Sequence, residues 1–193
     1  VDAVNDVPLL DALSDTTISE DAAEQTVSLT GIATGASEDQ PLRVTATSDN
    51  AGLIPDPTVT YTSPNATGSI AFTPVADEHG SATITVTVED GGLDQNLATS
   101  EDNATVSQTF TVTVVSVMDR PVLDTTASPQ LASIAEDAGA PVGQVGTFVS
   151  SLIDTGGTHN NFSDTDGDLP GIAITGVNLQ GGALWYSSDD GST

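Results

Sequence analysis

Residues Ala82-Thr83-Ile84-Thr85-Val86-Thr87-Val88 alternate apolar and polar side chains without a break. In an extended strand this period of two puts every apolar group on one face and every threonine on the other. Wound into a helix, the same residues would scatter their apolar groups around the axis. The β-branched Val, Ile and Thr favour the extended form as well. Related runs occur at Leu42 to Thr47, Thr67 to Phe72 and Ala104 to Val117, with shorter ones at Thr16-Thr17-Ile18 and Thr26-Val27-Ser28-Leu29. Thr58-Val59-Thr60-Tyr61 is bracketed by Pro55, Pro57 and Pro64, which places it at a sheet edge. No amphipathic helical run competes, and ten prolines break the chain up. About seven short strands over roughly 110 residues predict an all-β chain built from immunoglobulin-like Greek-key β-sandwiches. The inward positions are Val44, Ile70, Phe72, Ile84, Val86, Val88, Phe110, Val112 and Val114. With only four Phe, two Tyr and one Trp in the chain, that core is expected to be mostly Val and Ile.

A second pattern sets the domain organisation. Asn5-Asp6-Val7-Pro8-Leu9-Leu10-Asp11 returns 113 residues later as Met118-Asp119-Arg120-Pro121-Val122-Leu123-Asp124. Ile18-Ser19-Glu20-Asp21-Ala22 returns as Ile134-Ala135-Glu136-Asp137-Ala138, displaced by 116 residues, and the loop 125–129 takes up the difference. Two motifs recurring in order at nearly one period indicate tandem units. The expected division is a linker from a preceding repeat over 1–8, a sandwich over 9–117, an interdomain linker at 118–121, and an incomplete second sandwich over 122–193. In the second unit Ile172-Ala173-Ile174-Thr175 reads as a strand, Leu184-Trp185-Tyr186 as the core aromatics of another, and Asp189-Asp190-Gly191 as a turn. The chain reads as an excerpt of a longer polypeptide, and no apolar run is long enough to span a bilayer.

The charge is extreme: 28 Asp and Glu against two Arg and no Lys give −26. Such a surface repels nucleic acid and anionic membranes, so neither is a partner. Carboxylates without basic partners repel one another in the compact state; adaptation to salty surroundings and bound divalent cations, which can coexist, are the two readings of that excess. Calcium takes six to eight oxygen ligands, and the carboxylates here collect in loops: Glu20-Asp21, Glu38-Asp39, Asp77-Glu78, Asp90, Asp119, and Asp164, Asp166 and Asp168. The last run is not an EF-hand, since Leu169 stands where the loop needs Gly and Thr175 where it needs Glu. His79 and His159 are isolated in a chain without cysteine, which argues against zinc. No nucleophile elbow or phosphate loop is present, so the chain is read as a non-enzyme.

These motifs together resemble the cadherin family, in particular the cadherin-like tandem repeats of large bacterial surface proteins. Glu20 in Ile-Ser-Glu-Asp matches an early ligand Glu. Thr67-Gly68-Ser69-Ile70 followed by Val75-Ala76-Asp77-Glu78 is similar to the family's LDRE region. Val86-Thr87-Val88-Glu89-Asp90-Gly91 is similar to its Asp motif, and Val4-Asn5-Asp6-Val7-Pro8 to its closing linker. The resemblance covers 1–121 well and the remainder in part. It implies one Ca2+ site at the internal joint, from Glu20, Asp77 or Glu78, and Asp119 of the first unit with Asp164, Asp166 or Asp168 of the second. It also implies half of a site at the amino end, from Asn5, Asp6, Asp39 and Asp90. Met118 replaces the linker Asn and Arg120 adds a competing charge, so weaker calcium binding and more bending are expected at the internal joint. The implied function is a calcium-binding structural or adhesion repeat of a secreted or cell-surface protein, with calcium stiffening the joint. Its partners would be neighbouring repeats and, beyond them, cell-surface proteins or glycans. The alternative is a calcium-independent spacer, or a carbohydrate-binding module that stacks sugars on Trp185 and Tyr186, attached to a secreted enzyme.

Overall fold

The computed structural model describes residues 4–35, 38–143, 146–153, 160–169, 171–173, 175–176, 178 and 183–188. The chain divides into two compact units, Val1–Val117 and Met118–Thr193. The described residues form strands, turns and one short 3₁₀ segment, with no α-helix among them. No helix among them is long and apolar enough to cross a membrane.

In the first unit the alternating segments become seven strands: β1 (Thr16–Ser19), β2 (Gln25–Leu29), β3 (Leu42–Ser48), β4 (Thr58–Thr60), β5 (Gly68–Phe72), β6 (Gly80–Asp90) and β7 (Thr105–Val115). They pair into a four-stranded sheet, β1-β7-β6-β3, and a three-stranded sheet, β2-β5-β4. Strand β1 runs parallel to β7, and every other pair in these two sheets is antiparallel. As its flanking prolines require, β4 lies at a sheet edge. The two sheets share one core, to which Leu29, Ile70 and Phe72 come from one sheet and Val86, Val88, Phe110 and Val112 from the other. Phe72 and Phe110 meet across it with ring centroids 6.5 Å apart. The long β6–β7 ladder pairs Ile84 with Phe110 and Val88 with Val106, so the register keeps the apolar set on the inner face. This is an immunoglobulin-like β-sandwich.

The core also takes residues from outside the strands. Leu53 and Ile54 are buried by a turn in which both amides donate to the Asn50 carbonyl, at 3.1 and 2.9 Å. The entering segment packs into the same body: Pro8 is wholly buried, Leu10 joins the core, and Leu9 bridges to Ala33. The segment expected as a linker over 1–8 is docked on the first unit from Asn5 onward.

In the second unit, β8 (Val122–Leu123) pairs antiparallel with β9 (Phe162–Ser163), and Asp124 N donates to Asn161 O at 2.7 Å. A 3₁₀ turn spans Val149–Ser151. Ile172, Ala173 and Thr175 are not in a strand, nor are Leu184, Trp185 and Tyr186, and the two aromatics are 63% and 91% exposed rather than core. An alternating segment needs a ladder partner before it is a strand, and none of the described residues supplies one there. Ile174 and Asp189-Asp190-Gly191 lie outside the described residues.

Candidate metal centre

Strand β6 runs the length of the sandwich, so its two ends mark two poles of the first unit. Before its start, the loop 73–79 lies beside the turn that joins β1 to β2. The turn closes with Ala22 N donating to Ser19 O at 3.1 Å, while Glu20 N extends the β1–β7 pairing by donating to Val115 O at 3.0 Å. That pairing directs the Glu20 side chain inward, where it is 2% exposed. Its Oε1 accepts the Val117 N–H at 2.6 Å, and its Oε2 lies 3.9 Å from Nδ1 of the exposed His79. Asp77 holds a left-handed backbone with φ 62°, a conformation Asp tolerates better than most residues. One carboxylate oxygen of Asp77 lies within 4.8 Å of one of Asp21.

Two exposed carboxylates at that separation repel by about 1 kcal/mol in bulk water, and by about 3 kcal/mol at an effective dielectric constant near 20. No Arg or Lys lies within ion-pair distance of them among the described residues. Oxygens bound to one Ca2+ at 2.3–2.6 Å can stand up to roughly 5 Å apart, so the pair fits two ligands of a single ion. Glu20 adds a third carboxylate to this pole with one oxygen already committed to the backbone. Of the two loop acids left open by sequence, Asp77 makes this approach, and Glu78 is exposed with its amide donating to Val75 O at 3.3 Å.

At the far end of β6, Asp90 is wholly buried. Its Oδ1 accepts three N–H groups: Asn5 Nδ2 at 3.0 Å, Gly92 N at 3.0 Å and Ala104 N at 2.9 Å. Its Oδ2 has no partner, and neither has Oε1 of the buried Gln40. Gly92 has φ +60°, and a Cβ there would lie 2.5 Å from Oδ1 of Asp102, so the loop needs glycine. Of the four residues assigned to this pole, Asn5 and Asp90 are brought together. Asp6 and Asp39 are exposed, and the Asp6 amide donates to Glu38 Oε2 at 3.2 Å. No three carboxylates gather at ligand distance here among the described residues. Amide donors knit this pole at Asp90 Oδ1.

Next to Asp90, Glu89 accepts from Asn103 Nδ2 at 2.9 Å and from Arg43 Nε at 3.1 Å. These bonds, that from Asn103 first, hold its carboxyl below the ordinary value near 4.5. In the second unit Asp119 N donates to Asp166 Oδ2 at 2.6 Å, and their carboxylates lie within 4.8 Å. Asp164 Oδ1 accepts the Asp168 amide at 2.9 Å, closing a turn on itself. Arg120, the expected competitor, is exposed and makes no ion pair among the described residues. Sequence reasoning passed over Gln40, whose neighbours signal a turn and nothing more. It named Asp21 among the loop acids, but the resemblance gave that residue no role.

No protein-family model matches the chain, and no curated protein sequence matches it. Among solved structures it is similar to domains 4 and 5 of the S-layer protein SbsC, at 16% identity over 57% of this chain with a TM-score of 0.36. It is also similar to the titin domains z1z2 in complex with telethonin, at 12% identity over 63% of this chain with a TM-score of 0.35. The chain spans about half the length of each, 53% and 54% respectively.

Proposed function

We propose that this chain is a structural β-sandwich module of the cadherin-like kind, from a large secreted or cell-surface protein, and that it binds calcium where its first unit ends. The observation that carries this reading is the approach of the Asp21 and Asp77 carboxylates to within 4.8 Å, beside buried Glu20, without a basic partner among the described residues. A chain of charge −26 gains more than most from a bound divalent ion. Calcium would be held by Asp77 and Asp21, with carbonyls and water filling the shell and buried Glu20 at the same pole. Such an extracellular module binds calcium with Kd around 10⁻⁴–10⁻³ M, which makes it responsive at the millimolar levels found outside cells. Because Glu20 holds the amide of Val117, the last residue of the unit, calcium here would also limit bending where the chain leaves it.

Calcium titration by calorimetry, with thermal melts in calcium and in chelator, tests the reading. At tenfold excess over Kd the ion stabilises by about 1.4 kcal/mol, and the gain should vanish in Asp77→Asn and Asp21→Asn. No heat and no shift in the native protein would sink calcium binding. A maximum dimension in small-angle scattering that is the same with calcium and with chelator would remove the stiffening role and leave the calcium-independent spacer.

A further inference from the structure

The segment that enters the first unit is fastened at a residue that uses its whole side chain. Asn5 donates through Nδ2 to Asp90 Oδ1 at 3.0 Å and to the Asp102 carbonyl at 2.8 Å. Its own Oδ1 accepts from Gln40 Nε2 at 2.8 Å. Only a carboxamide can give and take in this way. Aspartate would set charge against the buried Asp90, and alanine would remove the Asn5 bonds to Gln40 Nε2 and the Asp102 carbonyl and one of the three donors to Asp90 Oδ1. Gln40 is buried and followed by Pro41, which packs on Gly91 so closely that a Cβ there would meet Pro41 Cγ at 2.8 Å. Asp90 in turn is satisfied at Oδ1 by three neutral N–H groups, and no base lies within ion-pair distance of it among the described residues. Three residues after Asn5 the buried Pro8 begins the apolar anchorage, and Leu9 N donates to Ala33 O at 2.8 Å.

We infer that Gln40, Asn5 and Asp90 form a carboxamide latch that docks the entering segment on the sandwich without a metal, with Gln40 as the positioning residue that sets the orientation of Asn5. The latch sits at the opposite end of β6 from the calcium site proposed above and does not depend on it. A hydrogen bond to a buried partner is worth roughly a factor of ten in a local opening equilibrium. The test is amide hydrogen exchange on the whole chain in chelator, for the native protein, Gln40→Glu, Gln40→Leu and Asn5→Ala. Gln40→Glu keeps the shape and removes the donor. The Leu9 and Asp11 amides, bonded to Ala33 O and Thr30 O, should exchange about tenfold faster in both Gln40 variants and faster still in Asn5→Ala. Amides of the central ladder, such as those of Ile84 and Phe110, should be unchanged. In the native protein, protection of Leu9 and Asp11 should be equal in chelator and in millimolar calcium. Loss of that protection on chelation alone would show a metal-held segment and overturn the latch. So would a Gln40→Glu protein that exchanges like the native one. If Asn5→Ala fails to fold, the Gln40 variants and the chelation arm still decide, and failure of calcium to bind at the other pole moves none of these readouts.

Discussion

The same seven-residue motif opens both units and meets opposite fates. In the first unit Pro8 is wholly buried and Leu10 is 7% exposed, whereas their counterparts in the second are the exposed Pro121 and Leu123, the latter 55% exposed. The copies differ at Asn5 and Val7, where the second has Met118 and Arg120, and they differ further in their surroundings. In the first unit two sheets of four and three strands close over it, and in the second the described strands are two residues each in a single pair. A two-stranded ribbon is at best marginally stable in water, because it leaves one face of every apolar side chain uncovered. Ile134, Val142 and Leu169 of the second unit are accordingly exposed. Stability in this chain belongs to sheet closure and not to the local sequence that precedes it.

The largest expected effect comes from carrying truncation into both units. Phe110→Ala removes a ring that touches Phe72 at the centre of the first core, and should cost 3–5 kcal/mol in a urea melt. Leu123→Ala in the second unit should cost less than about 1 kcal/mol, since most of that side chain is already in water. Comparable losses would mean that the second unit has a core as consequential as the first.

That contrast also marks what could be read in advance. All nine inward positions taken from the alternation, Val44 through Val114, are buried, because period-two patterning and burial on one sheet face are the same physical statement. Leu10, Ile32, Leu53 and Ile54 were missed: they lie in loops and bends with no period, and only the closed fold buries them. The reverse error fell in the second unit, where Ile172 to Thr175 alternates but finds no ladder among the described residues. Of the candidate site, the residue types were legible and the groupings were not. Asp77 over Glu78 is decided by a left-handed backbone, and Gln40 by its bond to Asn5, 35 positions away, which in turn bonds Asp90, 85 positions from Asn5.

A middle-sized effect compares buried and exposed carboxylates. Asp90→Ala leaves Gly92 N, Ala104 N and Asn5 Nδ2 without their common acceptor, and should cost about 2–4 kcal/mol in a denaturant melt. Asp164→Ala removes an acceptor from a turn open to water and should cost under about 1 kcal/mol. A mild Asp90→Ala would mean that water replaces the carboxylate at the amino pole, and would weaken the docking of the entering segment argued above.

The smallest effect is one of pH, and again two carboxylates divide by unit. Glu89 in the first unit is held below its ordinary value by Asn103 and Arg43, and Asp124 in the second by the hydroxyl and amide of Thr126. A carboxyl whose folded value is depressed adds stability that is fully present above its unfolded value. That stability is lost as pH falls through the folded value. The loss attributable to Glu89 therefore begins near pH 4.5 and deepens below it, and Glu89→Gln should flatten that acid limb of stability against pH. Asp124 is fully exposed, so solvent screens its bonds and Asp124→Asn should leave the limb unchanged. An acid limb that responds to Asp124→Asn and not to Glu89→Gln would reverse the ranking of the two units, since it would place the pH-sensitive cohesion of the chain in the second.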